Sequence, residues 1–110
     1  MILTRRFDFD IILGGRPLLI RASRNDASST LVFSLFAGEG VLDIPAGASA
    51  SFRGQTGSAA GLLSFDTGIP KVTVILTKVL TAVKGRIPFE IVLQSGNYKL
   101  VTATLYLDVR

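Results

Sequence analysis

Cysteine, histidine and tryptophan are all absent from this chain of 110 residues. Without cysteine there is no disulfide framework and no thiolate metal site. Without histidine, acid–base chemistry near neutral pH falls to carboxylates, lysine or tyrosine. Charged side chains are scarce as well, at 18% against about 25% in ordinary soluble domains, while the mean hydropathy is +0.49. Long apolar runs are missing: no stretch approaches the ~20 residues that a helix needs to cross a bilayer. Arg5, Arg6, Asp8 and Asp10 interrupt the start of the chain where a signal peptide would carry its apolar segment. An apolar composition without a membrane span implies that part of the outer surface is covered by another molecule.

Basic residues outnumber acidic ones 12 to 8, a formal +4. They are scattered, only Arg5 and Arg6 being adjacent, and no segment carries a positive stripe. A basic groove interleaved with aromatics, the usual platform for single-stranded nucleic acid, is therefore missing. The charge reads as a solvated surface.

What the chain does contain is a series of short period-two runs, each closed by glycine, proline, asparagine or aspartate. FDFDIIL ends at Gly14-Gly15-Arg16-Pro17, TLVFSLF at Gly38-Glu39-Gly40, and ASASF at Arg53-Gly54. KVTVILT, IPFEIVL and KLVTATLYLDV follow, the last two separated by Ser95-Gly96-Asn97. Alternation of this kind fits strands with one buried face, and the punctuation fits tight turns. The expected inward sets are Phe7, Phe9, Ile11 and Leu13; Leu31, Phe33 and Leu35; Ala48, Ala50 and Phe52; Val72, Val74 and Leu76; Ile87, Phe89, Ile91 and Leu93; and Val101, Ala103, Leu105, Leu107 and Val109.

Residues 54–61 are small and polar and read as an exposed loop, with a weaker strand over 62–65. One segment has a helical period: Leu76, Leu80 and Val83 recur at four and three residues, Thr77 is placed to cap, and Gly85 to stop the helix. A short crossover over about residues 77–84 is expected. The sum is a single all-β domain over 1–110, an immunoglobulin-like antiparallel β-sandwich, with a small closed barrel as the alternative architecture. The sequence ends directly after its last expected strand, which fits either a minimal protein or an N-terminal domain cut at its boundary.

A search for chemistry finds little. Asp8 and Asp10 share a strand face about 7 Å apart, a spacing that suits a paired-carboxylate site, but an ordinary solvated face is the favoured reading. Asp26, Asp43 and Asp66 sit beside turn signals. The serines have no base to activate them, and the glycines match neither a phosphate-cradling loop nor a dinucleotide fingerprint. The expectation is therefore no enzyme, no cofactor and no metal.

Apolar side chains at outward positions remain: Ile12, Val32, Phe36, Ile75, Val92, Leu100 and Tyr106. Tyr98 and Tyr106 share a parity on the last run with Leu100 between them, so one aromatic patch is conceivable there. The candidate interface comprises Phe36, Ile75, Tyr98, Leu100 and Tyr106. The same tyrosines would serve an alternative function, a carbohydrate-binding module.

The order of motifs resembles the N-terminal domain of phage baseplate upper proteins. Arg24-Asn25-Asp26 precedes Ser28-Ser29-Thr30-Leu31-Val32-Phe33-Ser34-Leu35; Leu42-Asp43-Ile44, Gly47-Ala48 and Phe52-Arg53-Gly54 follow. Val72-Thr73-Val74 leads through Leu76-Thr77 to Thr81-Ala82-Val83-Lys84-Gly85, and Thr102-Ala103-Thr104 precedes Leu105-Tyr106. The chain departs from the family at Gln55-Thr56-Gly57-Ser58, where members often carry proline-aspartate-glycine. The resemblance covers nearly the whole chain and implies an immunoglobulin-like sandwich in a virion. Such a domain attaches a peripheral fibre or receptor-binding part to the particle. The partners it implies are other virion proteins of the baseplate, tail or capsid and further copies of the chain, with no nucleic acid and no membrane. A capsid decoration or head-fibre protein is the alternative within the same class.

Overall fold

The strands run one after another into a single curled sheet. A computed structural model describes residues 4–11, 18–37, 44, 45 and 47–110. Its elements are β1 (Thr4–Asp10), β2 (Leu19–Ala22), β3 (Thr30–Phe36), β4 (Ser49–Gly54), β5 (Gly57–Asp66), β6 (Ile69–Ile75), α1 (Lys78–Thr81), β7 (Gly85–Ser95), β8 (Tyr98–Val101) and β9 (Leu105–Val109). The turns expected at 14–17 and 38–40, the segment 41–43, and Ile12 and Leu13 lie outside the described residues.

The hydrogen-bonded order is β1-β3-β6-β5-β4-β7-β9-β2, with β8 paired to β7. The all-β expectation stands, but the expected purely antiparallel pairing is corrected. The described strands follow one continuous hydrogen-bonded path. The sheet is also mixed, because β1 runs parallel to β3 and β2 parallel to β9.

Curling is required by the core. β3 and β4 are three steps apart along the path, about 14 Å if the sheet were flat, yet the rings of Phe33 and Phe52 are 6.0 Å apart. A line of aromatic rings continues to either side, with Phe7–Phe33 at 5.7 Å and Phe52–Phe89 at 4.6 Å. Leu31, Leu35, Val72, Val74, Leu76, Leu80, Ile91, Leu93, Leu105 and Leu107 complete the interior. Each such side chain removed from water contributes roughly 1.5–3 kcal/mol before the entropy of ordering is charged against it. The two ends of the sheet approach each other: Ile11, just past β1, accepts a hydrogen bond from the Ala103 N–H between β8 and β9 at 3.2 Å.

Residues 54–61 are not a loop. Gly54 pairs with Gly57 around Gln55-Thr56, and β5 runs antiparallel to β4 from there. Small residues are a steric demand of the interior at this point. A Cβ on Gly57 would meet Val79 Cγ1 of α1 at 2.4 Å, and one on Gly61 would meet Val72 Cγ1 at 2.8 Å.

The helix is shorter than expected, four residues over Lys78–Thr81. Thr77 takes an extended N-cap conformation but makes no capping side-chain bond. The chain leaves the helix early because neighbouring loop donors take its carbonyls. Asn25 N–H donates to Thr81 O at 3.0 Å and Arg24 Nε to Ala82 O at 3.2 Å. Leu76 and Leu80 are buried as expected, while Val83 is exposed.

The last run is two strands, not one. β8 and β9 both pair with β7, but the partner numbers sum to 193 in β8 (Val92 with Val101) and to 194 in β9 (Phe89 with Leu105). One extra residue is therefore accommodated between them, a β-bulge. Thr102 makes it possible: its N–H donates to Ile91 O and its Oγ1 accepts from Ile91 N–H, both at 3.0 Å. Because side chains alternate, the insertion reverses which parity faces inward. Leu105, Leu107 and Val109 point in as expected, whereas before the bulge Leu100 packs on the core and Val101 is exposed.

Candidate docking face

Alternation that fills the interior leaves a second face outside, and register fixes which residues are neighbours on it. In one row Val101 of β8 lies opposite Val92 of β7, Val92 opposite Ser51 of β4, and Ser51 opposite Ala60 of β5. In the next, Leu62 of β5 lies opposite Thr73 of β6, Thr73 opposite Val32 of β3, and Val32 opposite Arg6 of β1. Ile75 stands two residues beyond Thr73 and shares its face. Leu62, Ile75 and Val101 are 69%, 57% and 45% exposed, while Val32 and Val92, flanked on both sides, are buried. Within these two rows the charge is confined to the rim, at Arg6.

Of the sequence-derived interface residues, Ile75 lies in this face. Phe36 is half-buried at the end of β3, opposite Asp10. Tyr106 is half-buried on the outside of β9, between Pro88 of β7 and the exposed Leu19 of β2. Tyr98 and Leu100 pack against the core instead, and the expected patch shared by Tyr98, Leu100 and Tyr106 is corrected by the register change at Thr102. Sequence reasoning missed Leu62 and Val101. The signal for Leu62 was the Gly54–Gly57 turn, which sets the β5 register once it is recognised as a hairpin.

The acidic groups occupy ordinary structural places. Asp8 and Asp10 are exposed on β1, opposite Ser34 and Phe36. The described residues contain no group of three or more His, Cys, Asp or Glu able to hold a metal ion. Asp66 pairs with Lys71 at 2.8 Å, and that hydrogen bond and charge hold its carboxyl below the usual value.

Asp26 is built into the loop before β3. Its Oδ1 accepts from the Ser28 and Ser29 N–H groups, each at 3.0 Å, and its Oδ2 from Ser29 Oγ at 2.6 Å. Burial works to raise its pKa; the three hydrogen bonds and the nearby Arg5 charge together outweigh it, so the carboxyl sits below its usual value.

No protein-family model matches the chain, and no curated protein sequence matches it. Nine chains of solved structures do. Among them the N-terminal domain of phage TP901-1 ORF48 aligns with a TM-score of 0.71 at 14% sequence identity, over 100% of this chain and 99% of that one. The curled sheet is thus a fold that the N-terminal domain of a phage protein also adopts.

Proposed function

We propose that this chain is a non-enzymatic structural domain of a phage virion, which holds a peripheral fibre or receptor-binding component to the particle through protein–protein contacts. The observation that carries this reading is the end-to-end likeness in fold to the N-terminal domain of phage TP901-1 ORF48, each chain covering the other almost completely. The sequence motifs that resemble baseplate upper proteins point the same way. The outer face supplies the means: Leu62, Ile75 and Val101 are exposed to water, and their burial against a partner stabilises the complex by roughly 25 cal/mol per Å² of apolar surface. A stable contact of ordinary size requires about 800 Å² from each partner, so the polar residues around the strip would take part as its rim.

The test is co-assembly. The purified chain, mixed with particles or baseplates lacking this protein, is sedimented and the bound fraction measured, beside the doubly substituted Leu62→Asp, Ile75→Asp chain. Uptake by the particle that is lost in the double variant supports the reading. A chain that stays in the supernatant in all cases refutes it.

A further inference from the structure

The place where the two ends of the curled sheet come together carries a second feature, unconnected with the apolar face. A cleft of about 230 Å³ opens there, lined by Arg5 of β1, Arg21 of β2 and Arg110 after β9, with Asp26 and Ser29 at its side. Three arginines thus line one small space, two from the strands β1 and β2 and one from the residue that follows β9.

The two carboxylates nearby already have partners. Both oxygens of Asp26 accept from Ser28 and Ser29 in their own loop. Asp108 is bridged by Arg110, through Nε at 3.2 Å and Nη2 at 3.1 Å, so that this one of the three arginines already carries a carboxylate. The Arg21 side chain makes no hydrogen bond or ion pair among the described residues, although Arg21 lies opposite Asp108 in the strand register. Arg5 is half-buried, and its buried Nε–H has no acceptor among the described residues. An unmatched buried donor is costly to a folded protein, and the Arg5 charge acts at longer range on the Asp26 carboxylate.

We infer that this cleft binds one oxyanion group, a carboxylate or a phosphate, between the guanidinium groups of Arg5 and Arg21, with Arg110 as a third cation. The planar fork of a guanidinium matches such a group with paired N–H donors. The size agrees: the cleft is below the roughly 300–1,000 Å³ of sites that enclose a whole small molecule, and suits a single oxyanion. That group can come from a free inorganic anion or from an acidic side chain on a peptide.

The two sources are separated by titrating the isotope-labelled chain with inorganic phosphate and with an end-blocked tetraglutamate peptide at constant ionic strength. The readout is the Arg5 and Arg21 Nε–H and the Ala22 and Ser29 amide signals in NMR spectra. Saturable shifts confined to these signals are expected, weakened about tenfold in Arg21→Gln and unchanged in the remote control Arg53→Gln. Tighter binding of phosphate assigns the cleft to free anions, and tighter binding of the peptide to a carried carboxylate. Arg5→Gln should weaken binding at least as much; if that variant proves unfolded by circular dichroism, Arg21→Gln decides alone. Absence of saturation by either ligand up to about 10 mM, or equal weakening in Arg53→Gln, overturns the proposal.

Discussion

Replacing Thr102 by valine tests whether the bulge between β8 and β9 rests on a single hydroxyl. Thr102 is 5% exposed, and its Oγ1 both accepts from Ile91 N–H and donates to Ala103 O, each at 3.0 Å. Valine keeps the shape and removes both bonds. Ile91 is fully buried, so its N–H would be left without a partner, at a cost of about 1–3 kcal/mol. Ala103 is only half-buried, so its carbonyl can turn to water at little cost, while the added methyl recovers something under about 1 kcal/mol. A net loss of about 0.5–2.5 kcal/mol follows. Thr102→Ser, which keeps the hydroxyl and loses a methyl, should cost about 1 kcal/mol. Urea unfolding followed by circular dichroism, with unchanged slopes, measures both. Hydrogen exchange at the Ile91 amide should accelerate in the valine variant beyond what its global stability explains. A valine variant as stable as the unsubstituted chain, with unchanged exchange at the Ile91 amide, would refute the role given to the hydroxyl.

Three further outcomes are expected. Gly54→Ala should destabilise by about 1–3 kcal/mol or more, since its Cβ would stand 2.3 Å from the Phe89 ring, itself stacked on Phe52 at 4.6 Å; thermal unfolding reads this directly. Thr67, in the Asp66–Ile69 turn, holds φ 48 beside Gly68 at φ 81, a left-handed pair that a β-branched residue resists. Thr67→Asn should therefore raise stability by about 0.5–1 kcal/mol, measured by the urea midpoint. The depressed pKa of Asp26 means that the unfolded chain takes up a proton more readily than the folded one. Its contribution is complete above the usual value of 3.8 and is lost as pH falls through the lower folded value. Unfolding midpoints measured between about pH 5 and pH 2 should fall less steeply in Asp26→Asn than in the unsubstituted chain.

Strands whose inner face is made of large side chains were legible in the sequence. Phe7 and Phe9, Leu31 to Leu35, Val72 to Leu76, and Ile87 to Leu93 alternate strongly enough that local pattern and final burial coincide. β5 was hidden for the opposite reason. Its inner positions must stay small under Val79 and beside Val72, so the residues that fit best there give no hydropathy signal. The reversal of parity at Thr102 was hidden because a bulge adds one residue to a run whose composition does not change. The apolar outer face could be inferred only in part: Ile75 stood out by its own alternation, whereas Leu62 and Val101 became neighbours of the strip through hairpin register and bulge. Parallel pairing of β1 with β3 and of β2 with β9 leaves no local trace at all.

That last arrangement has a kinetic side. β1 and β2 are consecutive in the chain but stand at opposite ends of the strand order, and Leu19–Ala22 is matched to Tyr106–Val109. During synthesis the second strand thus emerges long before its mate exists, and pairings between such distant stretches form slowly. Deleting the final five-residue strand would not simply shorten the molecule at its tail. It would leave an early segment without a home, turning a nascent chain into one with an unmatched margin open to other polypeptides.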